Sequence, residues 1–234
     1  MIISILFFSA LLGGLSVFLF RNDQTRFLKL ILSFSGAYLF SITVLHLIPG
    51  VYHSNNPNIG LFVLAGFLFQ LVLEQFSEGV EHGHMHGKAQ SPARFPFSIL
   101  LSLCLHAFLE GMPITGSHQY ALLFGIALHH IPAAFALGSL LLNYRVSSRS
   151  VILYLIIFSA MSPLGSLFSQ LIQNGNAGDI SQYFDRMMAV VIGIFLHIST
   201  TILFESSSKD HQYNRRKLIA VFLGVAVSFL NFLL

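Results

Sequence analysis

Eight apolar runs, each about 20 residues long, constrain this chain more than any other feature. A backbone inside lipid must satisfy its own hydrogen bonds, so runs of this length predict membrane-spanning helices. Only 9% of the residues are charged, against about 25% in soluble domains. The predicted fold is an all-α integral membrane protein with eight transmembrane helices in one polytopic domain over residues 1–234. The runs cover residues 1–20, 28–50, 59–78, 97–115, 120–142, 151–172, 186–205 and 217–234.

The loops between these runs divide by charge, and that division predicts the orientation of the chain. Eleven of the 12 Lys and Arg residues fall in loops on one side, and only Arg186 falls on the other. Because basic loops remain in the cytoplasm, both termini are expected to face outward, and the plasma (inner) membrane is the expected host. The first run ends at Arg21 without a clear cleavage site, which favours a retained span over a signal peptide.

Several classes of function are disfavoured by what the sequence lacks. The single cysteine, Cys104, allows no intramolecular disulfide and no multi-cysteine zinc site. No Gly-rich phosphate loop is present, which argues against ATP-driven pumping. The basic residues are scattered over short loops, so nucleic acid is not an expected partner. No catalytic residue and no permanent cofactor are predicted.

The longest loop expected in the cytoplasm, residues 79–96, contains a histidine at every second position of a short flexible tract. Imidazoles in such a tract can bind a soft or borderline cation, although a polar loop that happens to be His-rich is the alternative. Just before the loop, Glu74 and Glu78 end the third run, where they either pass an exiting cation to the tract or form a solvated helix end. The histidines are His82, His84 and His86.

Ionisable side chains inside the fourth, fifth and seventh runs predict a buried metal site, because such groups are costly in lipid and mark function. His106 and Glu110 are four residues apart and therefore share one face of a helix. Counted from the ends of the runs, His106, His129 and His197 lie about 14–17 Å deep, near a common level at the midplane. His130 adds a fourth imidazole, and Glu110 lies one turn nearer the outside.

The residue types of this site favour zinc. Imidazole and carboxylate are ligands that Zn²⁺ and other divalent first-row metals bind well, and such an ion would offset the burial of Glu110 as an anion. Pro132 and Pro113 cannot donate to the carbonyl groups four residues before them, which favours a cavity beside the ligands. Taken alone, His197 is more typical of an interhelical hydrogen-bond partner than of a metal ligand.

These residues resemble the motifs of the ZIP (Zrt/Irt-like) metal transporter family over nearly the whole chain. Residues 106–111, His-Ala-Phe-Leu-Glu-Gly, are similar to the family's fourth-helix His-Asn-x-x-Glu-Gly. Residues 129–134 are similar to a fifth-helix polar pair followed by x-Pro-Glu-Gly, and residues 163–165 to the sixth-helix signature. Residues 46–49 resemble the family's His-Leu-x-Pro and add His46 to the candidate metal ligands. The resemblance implies eight helices in a lipid bilayer, outward termini, a His-rich third loop, a homodimer and a divalent metal ion as transported substrate.

Two departures from the family motifs bear on the metal centre. Ala107 stands where the family has Asn, and Ala133 stands where it has Glu, and those positions help to build a two-metal centre in the family. His130 and His197 are expected to replace part of the second site. Fewer carboxylates favour Zn²⁺ or softer late metals over Mn²⁺ or Fe²⁺. The ligands that remain for one ion are His106, Glu110 and His129.

Together these observations predict a transporter, not an enzyme, that takes zinc or a similar divalent cation into the cytoplasm. The ligands would hold the ion near the midplane while one helix group shifts against another to expose it to the inside. A metal sensor or inactive transporter relative is one alternative, favoured by the two alanines. An intramembrane zinc hydrolase is another, but it needs a general base beside the metal. Asp179 and Asp185 fall in or near an outer loop, so no second acid is expected there.

Overall fold

The described part of this chain is all-helical in a computed structural model of the protein. That part comprises residues 1–19, 25–53, 57–77, 79–80, 97–114, 119–174, 180–205 and 211–233, and no strand occurs within these ranges. The α-helices are α1 (Ile2–Leu15), α2 (Thr25–Ile42), α3 (Ile48–Tyr52), α4 (Ile59–Ser77), α5 (Phe97–Gly111), α6 (Gln119–Asn143), α7 (Ser148–Asn174), α8 (Ile180–Glu205) and α9 (His211–Leu233).

A π-helical turn, Thr43–Leu47, joins α2 to α3, so the two helices form one continuous helical stretch. Counted in this way, the described residues form eight helical stretches, one for each apolar run. Five of them are long and apolar enough to cross a membrane, and two shorter apolar helices occur at Ile2–Phe18 and Phe97–Gly111. The helical fold class is therefore confirmed, while the full set of eight crossings and the outward termini remain predictions.

Glycines set the closest approaches between the helices that carry the site. A Cβ added at Gly66 of α4 would fall on the backbone of Val190 in α8, far inside van der Waals contact. In the same way, a Cβ at Gly165 of α7 would fall on the carbonyl oxygen of Phe108 in α5. Only glycine allows these backbones to meet so closely. The pairs α4–α8 and α5–α7 are thus locked at fixed spacing, and α6 packs against α1 and α2.

Two buried apolar clusters lie on either side of the ionisable residues along α5 and α6. Leu103 of α5 and Leu137 of α6 belong to one cluster, and Ile126 of α6 belongs to the other together with Ile114, just after α5. Glu110 and the residue pair 129–130 fall between these positions along the chain. The polar groups therefore occupy the stretch of the bundle between the two apolar clusters.

Candidate metal site

The α5 helix supplies two side chains of the site. His106 and Glu110 lie one helical turn apart, and they are 2% and 0% exposed. His106 Nε2 lies 3.4 Å from Glu110 Oε2. The i, i+4 spacing in the sequence placed both groups on one face, and in the structure that face meets Gln70 of α4 and His130 of α6.

The α6 helix supplies two adjacent histidines that are both buried. His129 is 0% exposed and His130 is 1% exposed, because neighbouring helices cover more than one face of α6. His130 Nε2 lies 2.7 Å from Glu110 Oε2. The ring centroids of His129 and His106 lie 6.1 Å apart with the rings nearly perpendicular. The structure therefore brings together four of the predicted site residues from two helices.

Three of these residues have the geometry of a metal-binding group. One ligand atom from each of His106, Glu110 and His129 lies within 4.8 Å of the other two, and all three side chains are buried. Ligand atoms around a tetrahedral zinc ion lie about 3.4 Å apart, given bonds of about 2.1 Å. Small side-chain rotations can therefore bring the three atoms around one ion.

A polar atom within the cluster also points to a cation. Glu110 Oε1 is buried and has no hydrogen-bond partner among the described residues, whereas Oε2 of the same carboxylate contacts His130. An unsatisfied buried carboxylate oxygen is costly unless a cation or donor faces it. One oxygen of Glu110 is thus free to bind an ion while the other keeps its contact with His130.

Gln70 of α4 is a site residue that the sequence reasoning missed. Its side chain is 0% exposed, and its Oε1 lies 3.2 Å from Nδ1 of His106. The available signal was a glutamine within the apolar third run, four residues before Glu74. That signal was weak, because nothing in the sequence shows which helix faces α5.

The structure places His197 with Glu74 and not within the three-residue group. His197 Nε2 lies 2.5 Å from Glu74 Oε2, and the imidazole packs nearly perpendicular to the ring of Phe67 with 4.9 Å between ring centroids. Glu74 follows Gln70 by four residues, about 6 Å along α4. The His197–Glu74 contact therefore lies one turn of α4 away from the Gln70–His106 contact, and Glu74 is not simply a solvated helix end.

The remaining predicted ligands lie elsewhere. His46 is half-buried in the π-helical turn between α2 and α3 and does not belong to the three-residue group. Such turns are frequent at functional sites. The tract of His82, His84 and His86, as well as Glu78, lies outside the described residues.

The two prolines near the site act differently from one another. Pro132 lies inside α6, which continues without a break from Gln119 to Asn143. The α5 helix ends at Gly111, before Pro113, and the N–H of Met112 donates to the carbonyl of Leu109 at 3.2 Å. The expectation of an open carbonyl at Leu109 was therefore wrong, because the helix closes with a tighter final turn.

The positions of the two family departures are apolar in this fold. Ala107 and Ala133 are 0% and 2% exposed, and both belong to the apolar cluster that contains Leu103 and Phe158. No ligand of the three-residue group comes from these positions. Among the residues that the structure describes, the ionisable part of the site therefore consists of one carboxylate and its neighbouring imidazoles.

Apolar helices of membrane-spanning length around a buried His/Glu group define a multi-pass membrane protein that can hold a divalent cation. Comparison with known families is consistent with this class. The chain belongs to the ZIP zinc transporter family, which matches residues 81–231. The resemblance drawn from the sequence motifs is thereby confirmed.

The sequence identity to individual zinc transporters is low, between 26% and 28% for the three named here. The chain is 26% identical over 175 residues to zinc transporter ZIP9-B of Xenopus laevis, covering 70% of this chain and 58% of that protein. It is 27% identical over 175 residues to zinc transporter ZIP2 of Homo sapiens, covering 63% of this chain and 57% of that protein. With zinc transporter 1 of Oryza sativa subsp. japonica it is 28% identical over 142 residues, 55% of this chain and 40% of that protein. The chain covers between 40% and 58% of the length of these three relatives.

Proposed function

We propose that this protein carries a divalent transition-metal cation, zinc foremost, across a membrane through the group formed by His106, Glu110 and His129. The observation that carries the proposal is the convergence of their ligand atoms within 4.8 Å inside the apolar bundle. Three ionisable side chains in such a place are expensive unless they bind an ion. The names of the family and of the relatives, which are zinc transporters, support the same function.

Zinc is favoured by the donor atoms. Two imidazoles and one carboxylate form a borderline set, which suits Zn²⁺ better than the oxygen-seeking cations Ca²⁺ and Mg²⁺. The described residues offer no second carboxylate within the group. Mn²⁺ and Fe²⁺, which gain more from oxygen ligands, are therefore expected to bind more weakly than zinc.

We infer that His130 acts on Glu110 as the ion arrives and leaves. Without an ion, Glu110 Oε2 accepts a hydrogen bond from Nε2 of His130 over 2.7 Å. An arriving cation would bind Oε1, which has no hydrogen-bond partner among the described residues. The carboxylate therefore needs no new partner when the ion departs, and the metal-free state keeps a satisfied oxygen.

Inward movement is the direction that the charge pattern favours. Under the positive-inside rule α4 runs toward the cytoplasm, so the Glu74–His197 pair lies one turn inward of Gln70. An ion released from Glu110 would next meet this second carboxylate and imidazole. Beyond α4 follows the histidine tract of residues 82–86, which we propose as a cytoplasmic binding region.

A metal sensor is the second candidate, and one observation favours it. Ala107 and Ala133 pack in an apolar cluster, so the site holds fewer ligands than the two-metal centre that the motif resemblance implies. A sensor would bind zinc without net flux. A hydrolase is not favoured, because no further acid joins the group in the part of the chain that the structure describes.

Zinc uptake into proteoliposomes tests the proposal. Purified protein is reconstituted with an internal fluorescent zinc indicator, and uptake is compared between wild type, Glu110→Ala and Asp185→Asn. Asp185 is a matched control because it precedes His197 by 12 residues, about 18 Å along α8. Saturable uptake that Glu110→Ala abolishes and Asp185→Asn retains is expected. Binding without uptake in the wild type would instead support the sensor.

A further inference from the structure

Gln70 is a fully buried amide on a helix whose other faces carry exposed apolar side chains such as Leu68 and Val72. A buried amide needs partners to offset its desolvation, and Oε1 of Gln70 faces Nδ1 of His106 at 3.2 Å. We infer that Gln70 is a positioning residue that fixes the tautomer of His106 and thereby sets the affinity of the buried metal site. The inference about affinity rests on the proposed function.

The chemistry of imidazole connects this hydrogen bond to metal binding. A neutral histidine carries one proton, on either Nδ1 or Nε2. Because the amide oxygen of Gln70 accepts a hydrogen bond, the proton of His106 is held on Nδ1. Nε2 then presents its lone pair toward Glu110, whose Oε2 lies 3.4 Å away. His106 is thus held in the form that binds a metal.

The opposite tautomer of His106 could not bind an ion beside Glu110. With its proton on Nε2, His106 would point an N–H group at Glu110 and offer no lone pair to an ion beside that carboxylate. Partners that hold the second nitrogen of a metal-binding histidine commonly change metal affinity by about 10–100-fold. Gln70 is placed to have this effect, since it contacts the ring nitrogen that faces away from Glu110.

The amide of Gln70 is uncharged, and this bears on the release of the bound ion. Glu74, one turn along the same helix, presents a carboxylate to His197, whereas Gln70 presents an amide to His106. A carboxylate at position 70 would add a second negative charge to the site, on the opposite side of the His106 ring from Glu110. An amide orients the imidazole without that charge, which leaves the bound ion free to move on.

The test measures the tautomer directly, in the full-length protein without metal in lipid nanodiscs. Solid-state ¹⁵N spectra of histidine-labelled protein report which nitrogen carries the proton, and a His106→Ala spectrum assigns the signal. We expect Nδ1–H in the wild type and a mixture of both tautomers in Gln70→Leu. The control is Gln75→Leu, because Gln75 is exposed on the same helix and its loss should leave the spectrum unchanged.

Zinc titration of the same proteins gives the second readout. Gln70→Leu is expected to weaken zinc binding about 10–100-fold, while Gln70→Glu keeps the acceptor, binds zinc more tightly than wild type and releases it more slowly. Gln75→Leu should bind as wild type does. If Gln70→Leu fails to fold, the Gln70→Glu variant decides, and affinity at or below the wild-type value would overturn the inference.

The two proposals can fail separately. An unchanged His106 tautomer in Gln70→Leu would overturn the role of Gln70, even if the wild type transports zinc. If the wild type binds no zinc, the proposed function fails, and so does the inferred effect on affinity. The spectra of metal-free protein would still show whether Gln70 orients His106.

Discussion

Replacing Glu110 with glutamine separates the charge of this side chain from its shape. Glu110 is 0% exposed, and its Oε2 contacts Nε2 of His130 at 2.7 Å and Nε2 of His106 at 3.4 Å. The amide oxygen of a glutamine can keep the contact with His130. Because an ionised carboxylate is far more costly to bury without a cation than a neutral amide of similar volume, we expect metal-free Glu110→Gln to fold normally and to melt at or above the wild-type temperature.

The zinc affinity of Glu110→Gln, in contrast to its stability, is expected to fall. Removing one partner of a buried charge interaction costs about 3–5 kcal/mol, and each 1.4 kcal/mol changes an equilibrium constant tenfold. Zinc affinity of Glu110→Gln is therefore expected to fall by between about 100-fold and a few thousand-fold. If Glu110 is a metal ligand, the melting temperature of Glu110→Gln should hold or rise while its zinc affinity falls.

Isothermal titration with zinc and thermal unfolding, both in nanodiscs, measure the two quantities on one preparation. A background with His82, His84 and His86 changed to alanine removes binding by the histidine tract. Asp185→Asn makes the same acid-to-amide change near the beginning of α8 and should alter neither quantity. A zinc dissociation constant within threefold of wild type would refute Glu110 as a ligand. A large fall in melting temperature would show that the carboxylate is structural instead.

Three further predictions concern the role of His197, the close helix contact at Gly165 and the number of zinc ions bound. His197→Ala should slow zinc uptake in proteoliposomes but leave the dissociation constant of the buried site within about threefold, because His197 pairs with Glu74; a 100-fold loss of affinity would place it in the binding group. Gly165→Ala should lose about 1–3 kcal/mol of stability through overpacking, as seen in the unfolding midpoint. Gly50→Ala, which has no atom within 4 Å of the added Cβ, should lose almost none. A variant with alanine at histidines 82, 84 and 86 should bind one zinc per chain by equilibrium dialysis, and two tightly bound ions would contradict a site with one carboxylate.

The sequence was informative wherever the controlling physics lies within one helix. The helices follow from runs of apolar residues, because a backbone in lipid satisfies its hydrogen bonds locally. The pairing of His106 with Glu110 follows from the helical repeat, and the structure places their side chains 3.4 Å apart. The adjacency of His129 and His130 in the sequence predicted that they lie at nearly the same level of α6, on neighbouring faces.

Contacts between helices were not accessible to the same reasoning. Depth counted along each helix gave His106 and His197 a common level, but such counting treats the helices as straight and equally tilted. In the structure, His106 contacts Gln70 and His197 contacts Glu74, and these two residues of α4 lie one turn apart. Which face of α4 meets α8 depends on the close approach at Gly66, and a glycine in an apolar run does not reveal its partner.

The charge of the site connects its structure to movement of the ion. A zinc ion bound by one carboxylate and two neutral imidazoles keeps a net charge of about +1, which is costly in an apolar interior. Ala107 and Ala133 are packed in the apolar cluster and supply no further anion. The Glu74 carboxylate, one turn along α4 from Gln70, holds the negative charge toward which such an ion would move. A resident structural or sensory ion is best held by full charge compensation, so incomplete compensation at Glu110 with a second carboxylate beyond it favours passage over retention.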